Sequence, residues 1–150
     1  MAEAVHLETS SKLMNDFLEE YRSEESVRKY SNDTAGNGIS YLLNHEYAKI
    51  YLDILENCIP KSRRQKGIRL WEFGCGAGMN LLHLVSMMER RGIAVDCAYG
   101  TDFSETLIEA ARHEVRQYLP PELSKKVSFC LAKNENLVED VTRETGIPGE

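Results

Sequence analysis

Three glycines at alternate positions, Gly74, Gly76 and Gly78, directly follow an apolar run from Ile68 to Phe73 that carries one carboxylate, Glu72. Glycines so placed let a strand turn sharply and bring bare backbone N–H groups close to a ligand at the start of a helix. A carboxylate inside an apolar strand is costly unless it is paired, so Glu72 calls for a polar partner. A second extended run, from Ile93, ends in Asp102. A carboxylate at a strand end can accept hydrogen bonds from both hydroxyls of a ribose, and Phe103 beside it offers a flat apolar face to a purine. Residue types and order together point to a nucleoside-containing cofactor.

These groups need a scaffold that holds strand ends side by side. A helical pattern follows the glycines at once. Ser104 is placed as an N-cap for a second helix, with Leu107, Ile108, Ala111 and Val115 on one face. Val127, Phe129 and Leu131 then alternate with Ser128 and Cys130, as a third strand would. The spacing predicts strands at roughly 67 to 73, 94 to 101 and 126 to 132, joined by right-handed crossovers through helices. The expected fold class is therefore α/β, a Rossmann-like parallel sheet with strand order 3-2-1 in the part present.

Glycine-rich turns of this kind serve NAD(P), FAD and S-adenosylmethionine, so details decide among them. A dinucleotide fingerprint would place its third glycine at position 79, which holds Met79. The order acid-x-Gly-x-Gly-x-Gly, here EFGCGAG, resembles the first motif of the class I S-adenosylmethionine-dependent methyltransferases. GTDFS followed by a hydrophobic helix resembles that family's second motif. The resemblance covers residues 67 to 137. It implies a cofactor site made by Glu72, Gly74, Cys75, Gly76, Gly78, Asp102 and Phe103, with Glu72 facing the methionyl amino group.

The family's third strand usually ends in an acid that reads the adenine amino group. Lys133 occupies that position here and cannot accept the bond; a shifted register gives the role to Asn134 or Glu135. The resemblance further implies methyl transfer to a small-molecule acceptor. A sulfonium is already an activated methyl donor, so positioning carries most of the catalysis. The fourth strand that usually supplies catalytic residues has no counterpart in this sequence, and no catalytic residue is assigned.

Residues 1 to 60 read as an N-terminal helical cap and 61 to 150 as the first half of the cofactor-binding domain. Leu13, Met14, Phe17, Leu18 and Tyr21 form one apolar stripe; Leu43, Tyr47, Ile50, Tyr51, Ile54 and Leu55 form another before Pro60. The stripe positions of the second segment predict core. Tyr30 and Tyr41 flank the turn-rich stretch SNDTAGNG and are candidates for cofactor or substrate contact. Three strands leave the first as an exposed apolar edge, which natural proteins avoid. The expectation is that a longer chain continues the sheet, or that a homodimer covers the edge.

Composition excludes other classes. The net charge of −6 argues against a nucleic-acid surface spread over the domain. The run KSRRQK, residues 61 to 66, reads as a solvated loop. No apolar stretch approaches membrane length, and the first residues lack the pattern of a signal peptide. Cys58, Cys75, Cys97 and Cys130 are scattered without a C-x-x-C pair, which fits a reducing cytoplasm. No histidine spacing suggests a metal, and His83 and His113 read as surface positions. Two alternatives stay open: a nicotinamide-dependent oxidoreductase half-domain, and a non-catalytic binding or interaction module.

Overall fold

The computed structural model describes residues 15–16, 19–20 and 45–146. Helix α1 (His45–Cys58) ends just ahead of Pro60. That proline precedes a single helical turn, α2 (Lys61–Arg64), and then comes β1 (Ile68–Phe73). Helix α3 (Met79–Arg90), β2 (Val95–Asp102), α4 (Glu105–Tyr118), the short α5 (Pro121–Ser124) and β3 (Val127–Leu131) follow. A 3₁₀ turn (Asn134–Asn136) leads into α6 (Leu137–Thr145).

The three strands pair in parallel in the order β1-β2-β3, as the sequence pattern predicts, with limits within a residue or so of the expected ones. Asp102 is the last residue of β2 and pairs with Leu131 of β3. One register irregularity separates Ile68 from Arg69. Beyond it Glu72 stands opposite Gly100, and Phe73 opposite Thr101.

Helical spacing puts Leu81, Leu82, Val85 and Met88 of α3 into the core, with Leu107, Ile108, Ala111 and Val115 of α4 beside them. They close over Ala98, Val127 and Phe129 of the sheet. Each fully buried side chain of this size contributes about 1.5–3 kcal/mol over its exposed state. That layer is what keeps the strand ends in register. The alternation of β1 sends Arg69, Trp71 and Phe73 the other way, where Trp71 and Phe73 are 44% and 58% exposed and stack with ring centroids 5.6 Å apart.

Three expectations are corrected. The basic run at 61 to 66 is in part a helical turn, because Arg64 folds back to donate to the main-chain carbonyls of Glu56 and Ile59, closing the end of α1. Ile50, Tyr51 and Ile54 are exposed rather than core; Leu52 is buried instead, and Leu55 packs partly against the core. His83 is buried, not on the surface, because α4 lays Tyr118 over it at a centroid distance of 4.7 Å. His113 is exposed, as expected. The proposed cap over residues 1 to 60 lies largely outside the described residues.

Candidate functional site

The glycine turn is built by left-handed backbone. Gly74, Gly76 and Gly78 have φ of 62°, 55° and 78°, a region that costs a side-chain-bearing residue about 1–2 kcal/mol. Gly78 has a second constraint: a Cβ on it would lie 2.4 Å from Cζ of Phe129. The ring of Phe129 also fills the space beside Gly100, so one aromatic of β3 sets how closely the turn approaches the sheet.

Hydrogen bonds tie this turn to the end of β2. The Cys75 N–H donates to the Thr101 carbonyl at 2.9 Å, and the Gly78 N–H to the Cys75 carbonyl at 2.9 Å. The Gly76 N–H donates to Asp102 Oδ2 at 3.0 Å, while the Ser104 N–H donates to Asp102 Oδ1 at 2.9 Å. Three of the turn's N–H groups are thus used to fix its shape. Asp102 is only 6% exposed. A carboxylate offers about four acceptor positions, so two remain for a ligand's hydroxyls. Ser104 caps α4 as expected, its Oγ accepting from the Leu107 N–H at 3.4 Å.

Glu72 lies beneath the start of α3. Burial pushes its carboxyl up to about 7, partly offset by hydrogen bonds from the Asn80 side chain and the Leu81 backbone N–H. Its Oε2 is buried with no hydrogen-bond partner among the described residues. A buried acceptor left in this state is expensive, and a cationic donor would relieve it. Cys75 is different in kind. Burial first, and then the carboxylates of Glu72 and Asp102, drive its thiol far above the usual range. It stays protonated at physiological pH and acts as a small apolar filler, not a nucleophile.

The remaining candidates are distributed around this centre. Phe103 is half-buried directly after Asp102. The Ala132 N–H donates to the Asp102 carbonyl at 2.9 Å, which draws the end of β3 alongside β2. Asn134 and Glu135 begin the 3₁₀ turn just beyond, with Glu135 exposed. Lys133 is also exposed, and its backbone N–H donates to Asp140 Oδ2 at 3.1 Å. Tyr30 and Tyr41 lie outside the described residues.

Two residues of the site were not singled out from sequence. Asn80 reaches Glu72 from the first turn of α3; the N-cap of that helix is Gly78, so no capping signal marks Asn80 in the sequence. Thr101 is buried; its Oγ1 donates to the Glu72 carbonyl at 3.4 Å and accepts from Trp71 Nε1 at 3.5 Å. Its partners Glu72 and Trp71 lie 29 and 30 residues away, which hides that role in the sequence. Among the described residues no group of His, Cys, Asp or Glu could hold a metal ion. Glu72 thus leaves one buried acceptor open to a cationic donor, and Asp102 keeps lone pairs that hydroxyls can use.

No family model matches the sequence, and no curated protein matches it. Among solved structures, an uncharacterized ACR superfamily protein from Burkholderia thailandensis matches with 21% identity and a TM-score of 0.50, over 89% of this chain and 35% of its own. CurJ carbon methyltransferase matches with 16% identity and a TM-score of 0.49, over 76% of this chain and 26% of its own. The methyltransferase domain of a bacterial Hen1 matches with 19% identity and a TM-score of 0.37, over 54% and 36%. The first is a likeness of fold. The chain spans about a third of the length of the solved structure from Burkholderia thailandensis. No described helix is long and apolar enough to cross a membrane.

Proposed function

We propose that this chain binds S-adenosylmethionine across the ends of β1 and β2 and serves methyl transfer to a small-molecule acceptor. The observation that carries the reading is the buried, unpartnered Oε2 of Glu72 beside the left-handed glycine turn. A buried carboxylate held near neutrality suits a cofactor with an ammonium group at that end. A nicotinamide dinucleotide has no such cation to offer at the foot of the turn.

The residues divide the work by chemistry. Glu72 would hold the amino group, with Asn80 and Leu81 fixing its carboxylate. Gly74, Gly76 and Gly78 keep side chains out of the space next to the backbone. Asp102 would accept from the ribose hydroxyls with the lone pairs that Gly76 and Ser104 leave over. Phe103, and Asn134 or Glu135, lie on the side where the adenine would rest. When bound, the cofactor supplies an already activated methyl group, so orientation and exclusion of water remain the protein's part. Residues 1 to 60 are proposed as the cap over this site, with Tyr30 and Tyr41 as contacts, and residues 61 to 150 as the part that binds cofactor.

Thermal unfolding of the full chain tests the reading. S-adenosylhomocysteine should raise the melting temperature, as a ligand selective for the native state must, and NAD and NADP should not. The reverse pattern would move the chain to the oxidoreductase reading.

A further inference from the structure

A second concavity lies along the outer edge of β3, apart from the glycine turn, and none of Glu72, Gly74 to Gly78 or Asp102 lines it. Its volume is about 560 Å³, within the range of small-molecule sites. Residues Val127 to Cys130 of β3 form the floor, α4 forms one wall, and Ser124 and Lys125 close one end.

The charge of this wall is unusual for the chain. Arg112 and Arg116 stand one helical turn apart on α4, and both line the cavity with Lys125. Like charges at that spacing destabilise a helix unless an anion offsets them. Glu144 offsets one of them: Arg112 Nη2 meets Glu144 Oε2 at 3.1 Å, while its Nε donates to the Phe129 carbonyl at 3.0 Å. Arg116 and Lys125 form no ion pair among the described residues. Three cations against one acid thus converge on a cavity in a protein of net charge −6. Ser124 and Ser128 line the same space, though the Ser124 hydroxyl donates to the Pro121 carbonyl at 3.1 Å.

Arg112 also narrows what can bind. By occupying the Phe129 carbonyl it takes an outward-facing acceptor of the β3 edge, so an added peptide strand would have to displace it. A compact ligand need not. A guanidinium fork, an ammonium and the Ser128 hydroxyl supply more donors than one carboxylate accepts, and match the several oxygens of a phosphate group. We infer that this cavity is a binding site for a small phosphate-bearing molecule, held by Arg116 and Lys125 with Ser128, and independent of the glycine-turn site.

The test is an NMR titration of the full chain with pyrophosphate at constant ionic strength, with citrate as the carboxylate arm and chloride as the screening control. Saturable shifts at the amides of Ser124, Lys125 and Ser128 are expected with pyrophosphate. The double variant Arg116→Gln, Lys125→Gln should weaken them by about tenfold or more. Both side chains are exposed, so the fold should hold, and a melting curve checks it. If the double variant is impaired in folding, Lys125→Gln alone should still weaken binding measurably. No saturation, an equal response to citrate, shifts confined to Gly74 to Gly78, or an unchanged response in the variants would overturn the assignment.

Discussion

Asp102 Oδ2 accepts the Gly76 N–H at 3.0 Å, so the carboxylate at the end of β2 and the glycine turn after β1 form one mechanical unit. The same carboxylate holds Ser104, and through it the start of α4. A residue proposed to bind ligand is therefore also a brace for the surface that binds it.

Substitution at Asp102 should reveal both roles. Asp102→Ala removes the acceptor that the Gly76 and Ser104 N–H groups share in a nearly closed site. An unmet buried donor costs about 1–3 kcal/mol, so the ligand-free protein should melt lower. Affinity for S-adenosylhomocysteine should fall by about one to two orders of magnitude. Asp102→Asn should be intermediate in stability, since its amide oxygen can keep one of the two bonds. Calorimetry beside melting curves separates the effects, and parental values in both would remove Asp102 from the site.

Glu72 should behave in the opposite way for stability. Its carboxyl titrates near 7 when folded against a usual 4.5, so the folded state holds the proton more tightly than the unfolded chain. Its contribution is therefore fullest below about 4.5 and declines as pH rises to about 7. Glu72→Gln removes the cost of ionising a buried acid and should stabilise the ligand-free protein at pH 8 by about 1–3 kcal/mol. The same change should weaken binding of S-adenosylhomocysteine. Urea unfolding at pH 5 and pH 8 is the measurement; equal stabilisation at both would contradict the titration.

The glycines of the turn are not equivalent. A Cβ at Gly74 meets nothing within 4 Å, whereas one at Gly78 runs into Phe129 and comes within 3.1 Å of Ala111. Gly74→Ala should cost about 1–2 kcal/mol from left-handed backbone alone. Gly78→Ala should cost more, because overpacking adds about 1–3 kcal/mol. Pairing Gly78→Ala with Phe129→Leu should recover part of that loss. Equal melting temperatures for the two single variants would refute the role given to Phe129.

His83 should make stability sensitive to mild acid. Its Nδ1 meets the Tyr118 hydroxyl at 2.5 Å and its Nε2 is buried without a partner among the described residues. Burial first, with Arg90 nearby, lowers its proton affinity below the usual 6.5. The unfolded chain therefore binds the proton first, so stability is kept above about 6.5 and falls as pH drops below it. Replacing both partners, His83→Phe with Tyr118→Phe, should flatten that dependence. Tyr118→Phe alone should cost about 1 kcal/mol at pH 7. Stability profiles from pH 5 to 8 decide the matter.

Local chemistry made most of the fold legible. Period-two alternation marked β3, breaking glycines marked the turn, and Ser104 with its helical face marked α4. The errors came where a partner distant in sequence decides. His83 looks polar on its own helix and is buried only because Tyr118 comes over it from α4. Ile50, Tyr51 and Ile54 have core spacing, yet they are exposed and Leu52 beside them is buried. For the site, residue types gave the two carboxylates but not the bonds that commit Asp102 to its own turn, since a hydrogen bond across 26 residues has no sequence period.

Trp71 is the chain's only tryptophan. Its indole N–H meets Thr101 Oγ1 at 3.5 Å, and the carbonyl of that same threonine receives the N–H of Cys75 in the glycine turn. Its ring neighbours those of Phe73 and Tyr99, at centroid distances of 5.6 and 6.3 Å. A shift of the turn would be passed through Thr101 to the polarity around a single fluorophore. The protein thus carries its own optical gauge of that turn, readable by intrinsic emission without a label.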